Sequence, residues 1–154
     1  KNSGKTRLMQ GLIKYFSKKN FKVAAIKHAH HNFDIDREGT DSFLHRKSGA
    51  QEVLISSSKR WAKIDERNEL KEMKLSSLIK KIERADIVFV EGFKNENHNK
   101  IEIIRKGNVN KKPLYKSLKN VIGIVSDETI KTKLPIFKSK DYKKIYDLIL
   151  LNIN

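Results

Sequence analysis

Short, wholly apolar runs set between amphipathic stretches constrain this 154-residue chain more than any other feature. Val23-Ala24-Ala25-Ile26, within a strand predicted over Phe21 to Ile26, has small apolar side chains on both faces, as does a strand covered on both sides. Asp86-Ile87-Val88-Phe89-Val90, stopping at Glu91-Gly92, and Val121 to Val125, ending in Ser126-Asp127, read the same way. Between them the period changes. Leu8, Met9, Leu12, Ile13 and Phe16 form a stripe that predicts a helix over residues 4 to 19, with Asn20 placed to close it. Leu75, Leu78, Ile79 and Ile82 predict a second helix ending near Arg84. Tyr142, Ile145, Tyr146 and Ile149 predict a last one capped by Asp141. Helices alternating with short apolar strands specify an α/β fold, a mostly parallel sheet with helices on both faces.

The rest elaborates on that theme. Thr40 to Ser48 predicts a short helix that Gly49 ends. Val53 to Ser56 and Arg60 to Ile64 predict a β-hairpin across Ser57-Ser58-Lys59. Lys100 to Arg105 alternates as a strand, and Lys106 to Lys112 is a polar turn. One domain is expected at this length. No apolar run approaches the ~20 residues of a membrane span, so a soluble chain is expected. The absence of cysteine excludes disulfides, thiolate metal sites and a Cys nucleophile, without fixing the compartment. The net charge of +16, from 34 Lys+Arg against 18 Asp+Glu, raises a nucleic-acid partner. The lysines, however, are spread through every segment with no basic arm or stripe. A solvated Lys-rich exterior is the reading that fits this distribution.

The chemistry concentrates at the start of the chain. Lys1-Asn2-Ser3-Gly4-Lys5-Thr6 matches the second half of the phosphate-binding pattern G-x-x-x-x-G-K-[ST]. In that pattern the glycine lets backbone amides face phosphate oxygens and the lysine reaches the β- and γ-phosphates. The threonine hydroxyl coordinates magnesium, and the helix that follows offers its positive end. The first glycine of the pattern and the strand that delivers the loop are expected upstream of Lys1, roughly eight residues or more. Without them, nucleotide binding is expected to be impaired. Glu91 ends an apolar strand, where such proteins place an acid that holds magnesium directly or through water. Asp127 ends another. It is either an acceptor for a guanine base or an ordinary turn residue. His28, His30 and His31 with Asp34 and Asp36 raise a transition-metal site, but their spacing departs from the helical H-x-x-x-H arrangement. This loop reads either as a switch-like segment near a nucleotide or second anion, with Lys27 and the histidines as donors, or as a polar surface loop.

Taken in order, these residues resemble the MobB family of molybdopterin-guanine dinucleotide biosynthesis adapter proteins. The likeness rests on Asn2-Ser3-Gly4-Lys5-Thr6, Ile26-Lys27-His28-Ala29-His30-His31 and Phe33-Asp34-Ile35-Asp36. It continues through Gly39-Thr40-Asp41-Ser42, His45-Arg46, Gly49-Ala50 and Arg60-Trp61-Ala62. Its most specific part is Val90-Glu91-Gly92-Phe93-Lys94 with Lys100-Ile101-Glu102-Ile103 and Arg105.

The resemblance implies a P-loop NTPase, Rossmann-like fold that binds GTP with Mg2+, hydrolyses it weakly or not at all, and forms a cytoplasmic homodimer. It implies work beside a MobA-type guanylyltransferase, which joins GMP to the molybdenum-bearing molybdopterin cofactor. By position, Asn2, Ser3, Gly4, Lys5 and Thr6 would hold phosphates, and Thr6 and Glu91 the metal. Lys27, His28, His30, His31 and Asp36 would line the cleft or switch. Asp41 would be an acid in that switch or just behind the magnesium. Phe93, Lys94 and the stretch from Lys100 to Arg105 would shape the cofactor or partner surface. Two other classes compete: a P-loop enzyme acting on a small metabolite, similar in topology to dethiobiotin synthetase, with Lys27 and Glu91 at the reacting phosphate, and a nucleic-acid-binding domain.

Overall fold

The Leu8, Leu12 and Phe16 stripe becomes the buried face of the first helix in the computed structural model, which describes residues 4–29, 33–67, 71–105 and 112–153. Asn2, Ser3, His30 and His31, and the polar turn over residues 106–111, lie outside the described residues. In chain order the elements are α1 (Lys5–Lys18), β1 (Val23–Lys27), α2 (Asp41–Lys47), β2 (Glu52–Ser56), β3 (Trp61–Asp65) and α3 (Leu75–Ile79). They continue with β4 (Ile87–Glu91), β5 (Lys100–Ile104), β6 (Val121–Ser126), β7 (Ile136–Phe137) and α4 (Tyr142–Leu151). They fall into two units, Lys1–His28 with Lys74–Asn154, and Ala29–Met73.

In the first unit every strand pair is parallel. β1 pairs with β4 from Val23↔Ile87 to Lys27↔Glu91, and β6 stands between β5 and β7. A reciprocal clasp starts the β1–β4 pair: Lys22 donates its N–H to Asp86 Oδ2 at 2.6 Å, and Asp86 donates its own to the Lys22 carbonyl at 2.8 Å. The core brings Leu8 and Leu12 of α1 against Val125, Phe137 and Ile145, with Phe89, Ile101 and Ile103 packed beside them. Phe16 is fully enclosed, its ring 5.2 Å from Phe89, 5.3 Å from Phe21 and 4.7 Å from Tyr146. Burying one such side chain contributes about 1.5–3 kcal/mol. α1 and α4 approach closely because residue 11 is glycine. The Tyr142 ring occupies the space where a side chain at Gly11 would stand.

The end of α1 follows expectation. Asn20 takes a left-handed conformation (φ 64°), and the Phe21 N–H reaches back to the Phe16 carbonyl at 3.2 Å. Four details differ. α3 stops at Ile79 rather than near Arg84, because the following N–H groups, Lys81 to Leu78 and Ile82 to Ile79, bond three residues back and tighten the chain out of α geometry. β7 is an addition: two residues after Pro135, whose carbonyl accepts the Ile124 N–H at 2.9 Å. Asp141 stands at the cap position of α4, but its carboxylate accepts the Lys138 N–H at 3.0 Å and not one from the helix. Thr40 likewise precedes α2 while its hydroxyl donates to the Arg37 carbonyl at 2.7 Å.

The second unit is α2 and the expected hairpin, β2 against β3 antiparallel from Glu52↔Asp65 to Ser56↔Trp61. Ser57 closes the turn onto Arg60. Gly49 ends α2 at φ 104°, with the Ala50 N–H returning to the His45 carbonyl.

Candidate functional site

The site begins at the N-terminus of α1. Gly4 precedes the helix at φ 76°, a left-handed conformation that glycine adopts without steric cost, and its carbonyl accepts the Leu8 N–H at 3.0 Å. The first amides of a helix have no partner within it, so this turn presents N–H groups and the positive end of the helix dipole. Thr6 lies in that turn. Its hydroxyl donates to Glu91 Oε1 at 3.4 Å, joining residues 85 positions apart.

β4 and β1 deliver the neighbours. Their register sets Lys27 beside Glu91, and the Glu91 carbonyl accepts the His28 N–H at 2.8 Å. Gly92 follows at φ 101°. A Cβ there would stand 2.5 Å from His28 Cβ, so only glycine leaves room for the imidazole. The His28 ring instead lies 4.7 Å from that of Phe93, which itself turns left-handed at φ 51°. Arg105, just past β5, brings its guanidinium over Gly4, where a Cβ on that glycine would lie 2.9 Å from Nε and closer still to Cζ and Nη2.

Thus Gly4, Thr6, Lys27, His28, Glu91, Phe93 and Arg105 are linked by these contacts, and Lys5 opens the same helical turn. Other candidates are placed differently. Asp127 is exposed at the end of β6, and its backbone carbonyl accepts Lys138 Nζ at 3.1 Å. Among the described residues nothing bonds Asp127 to Thr6 or Glu91. Lys94 lines a shallow cavity of about 400 Å³ with Lys100 and Lys119. Lys100 serves structure there, since its ammonium donates to the carbonyls of Glu96, His98 and Lys119. Burial lowers the Lys100 pKa. Glu102 also turns to structure, accepting the N–H groups of Leu114 and Tyr115, each at 2.7 Å.

Asp36 and Asp41 belong to the second unit. Asp41 opens α2 and is exposed. Asp36 joins a hub around Arg46, whose guanidinium donates to both Asp36 oxygens (2.6 and 3.0 Å), to Asp34 at 3.0 Å and to Glu66. The Arg46 and Asp36 side chains are 8% and 4% exposed. The Arg46 hydrogen bond holds the Asp36 carboxyl below its ordinary value of 3.8, and the carboxylates in turn raise the Arg46 pKa. No group of three or more His, Asp or Glu side chains suited to a metal occurs among the described residues.

A loop glycine before a helix, a first-turn threonine on a strand-end glutamate and two cations beside them make an arrangement suited to a phosphate chain with its metal. The family model for molybdopterin guanine dinucleotide synthesis protein B (MobB) matches residues 1–127. The chain belongs to the MobB family. It is 30% identical over 150 residues to the Escherichia coli (strain K12) protein named molybdopterin-guanine dinucleotide biosynthesis adapter protein, covering 96% of this chain and 86% of that one. The Haemophilus influenzae protein of the same name is 32% identical over 149 residues, covering 96% and 82%. The crystal structure of Bacillus subtilis MobB, 24% identical, matches in fold with a TM-score of 0.73 over 100% of this chain and 93% of that one. The two parallel sheets, β1–β4 and β5–β6–β7, flanked by helices, therefore have the P-loop NTPase fold of MobB proteins.

Two arrangements escape sequence reasoning. The Arg46 hub joins residues 10 to 20 positions apart, and ion pairing leaves no periodic trace. Arg105, expected at a cofactor or partner surface, lies over Gly4. Its position past a strand parallel to β6 was the available signal.

Proposed function

We propose that this chain is a GTP-binding adapter of molybdopterin-guanine dinucleotide biosynthesis, acting as a homodimer in the cytoplasm beside a MobA-type guanylyltransferase. Family membership supports the pathway. The observation that carries nucleotide binding is the Thr6–Glu91 pair at the N-terminus of α1. Two oxygens that share a magnesium ion lie about 3 Å apart when adjacent in its octahedron. The 3.4 Å between Thr6 Oγ1 and Glu91 Oε1 is close enough for a small side-chain rotation to reach that spacing. With only two protein oxygens gathered, the remaining ligands would be phosphate oxygens and water, the usual way magnesium is held beside a nucleotide. A magnesium ion held by Thr6 and Glu91 would supply positive charge against the phosphates. Lys5 meets the same phosphates, and the amides after Gly4 donate to their oxygens at the helix N-terminus.

Calorimetric titration of the full-length protein with GTP and Mg2+ tests this reading. Saturable binding is expected, and Lys5→Ala is expected to abolish it while the circular dichroism spectrum stays unchanged, because Lys5 is exposed and contributes charge rather than packing. Unchanged GTP affinity in Lys5→Ala would remove the phosphate site.

A further inference from the structure

Resting on that reading, we infer that Arg105 is a second phosphate-binding cation of the loop, meeting the nucleotide's phosphate chain from the β5 side as Lys5 meets it from α1. The first argument is position. Arg105 follows directly on β5, and its guanidinium spreads over Gly4 where that glycine's side chain would be, with Cζ, Nε and Nη2 all in the space a Cβ would take. A residue with any side chain at position 4 would displace it, so the glycine serves both the left-handed turn and the close approach of the arginine.

The second argument is electrostatic. Among the described residues no carboxylate forms an ion pair with Arg105. The nearby acid, Glu91, is bonded to Thr6 and carries no ion pair to it. The guanidinium therefore stands at the positive end of α1 with no ion-paired carboxylate among the described residues, an arrangement of like signs that is unfavourable for the protein alone. Arg46 shows the contrast within the same chain: a structural arginine here gathers three carboxylates. An anion with several oxygens in one plane with the guanidinium balances the charges at Gly4. Arginine suits phosphate because its planar fork donates two parallel hydrogen bonds.

The test compares Arg105→Ala, Arg105→Lys and the unaltered full-length protein in calorimetric titrations with GTP and GDP in the presence of Mg2+, together with thermal unfolding in the absence of nucleotide. Arg105→Ala is expected to weaken binding of both nucleotides about tenfold to a hundredfold, the range for one charge-assisted contact. Arg105→Lys is expected to restore part of the loss. The melting temperature without nucleotide is expected to hold or rise in Arg105→Ala, since the removed charge faces the positive end of α1 and forms no ion pair among the described residues. A residue with a purely structural role would lower it. Unchanged affinity overturns the inference, and so does tighter binding, which would show that Arg105 competes with the phosphates for the loop. Absence of GTP binding by the unaltered protein would instead defeat the nucleotide reading itself, so the two failures are distinct.

Discussion

The two units of this molecule are held together by different physics. In the first, Phe16, Ile124 and Ile145 are fully enclosed, and parallel strand pairs run beneath α1 and α4. In the second, Val53 is the one buried apolar side chain among the described residues, while Phe33, Ile35, Leu54 and Trp61 are each more than 60% exposed. What gathers that unit's loop, helix and hairpin end is a single guanidinium with three carboxylates. An apolar frame thus carries Gly4, Thr6 and Glu91, and a charge-organised unit carries Asp34 and Asp36. Stability of the two should respond to different perturbations.

The largest expected effect is on the frame. Phe16→Ala removes a ring that packs against three others and is expected to cost about 3–5 kcal/mol in denaturant unfolding. A cost near that of a surface substitution would deny that α1 is anchored by its apolar face. Next, Arg46→Ala is expected to raise amide hydrogen exchange across residues 33–67 while the strands of the first unit keep their protection. Equal loss in both units would erase the distinction. The smallest effect is the response to acid. Asp36 is held below 3.8, so well above that value its carboxylate is charged in the folded and unfolded chain alike, and its pairing with Arg46 contributes in full. As pH falls through the depressed folded value, the carboxyl is protonated and the contribution is lost, with Arg46 charged throughout. Protection of the second unit's amides relative to their free exchange rates is therefore expected to fall below pH 3.8, and Arg46→Ala to remove that dependence.

Apolar period made the frame readable. Leu8, Leu12 and Phe16 face the core as their spacing requires, the continuous runs at Val23 and Ile87 form a parallel pair, and Asn20 and Gly49 end their helices with positive φ. Gly4 before α1 and Glu91 at the end of β4 stand at the helix and strand ends where their residue types put them. Legibility failed where geometry depends on partners distant in sequence. β7 is too short for any period to register, and Asp141 found the Lys138 amide instead of a helix amide. The three acids around Arg46 look, in sequence, like ordinary surface charges. Arg105 gave a strand-end charge but not its target, because only the folded sheet brings residue 105 over residue 4.

The most direct measurement of the central claim, that Thr6 and Glu91 hold the magnesium of a bound nucleotide, is the Mg2+ dependence of GTP affinity in Glu91→Gln of the full-length protein. Glutamine keeps the size of the side chain and an oxygen for the Thr6 hydroxyl while removing the charge that favours the cation. The expected result is a flattened Mg2+ dependence, with affinity in the absence of Mg2+ close to that of the unaltered protein. The same Mg2+ dependence in both proteins would contradict the assignment and leave Glu91 as a structural acid at the end of β4.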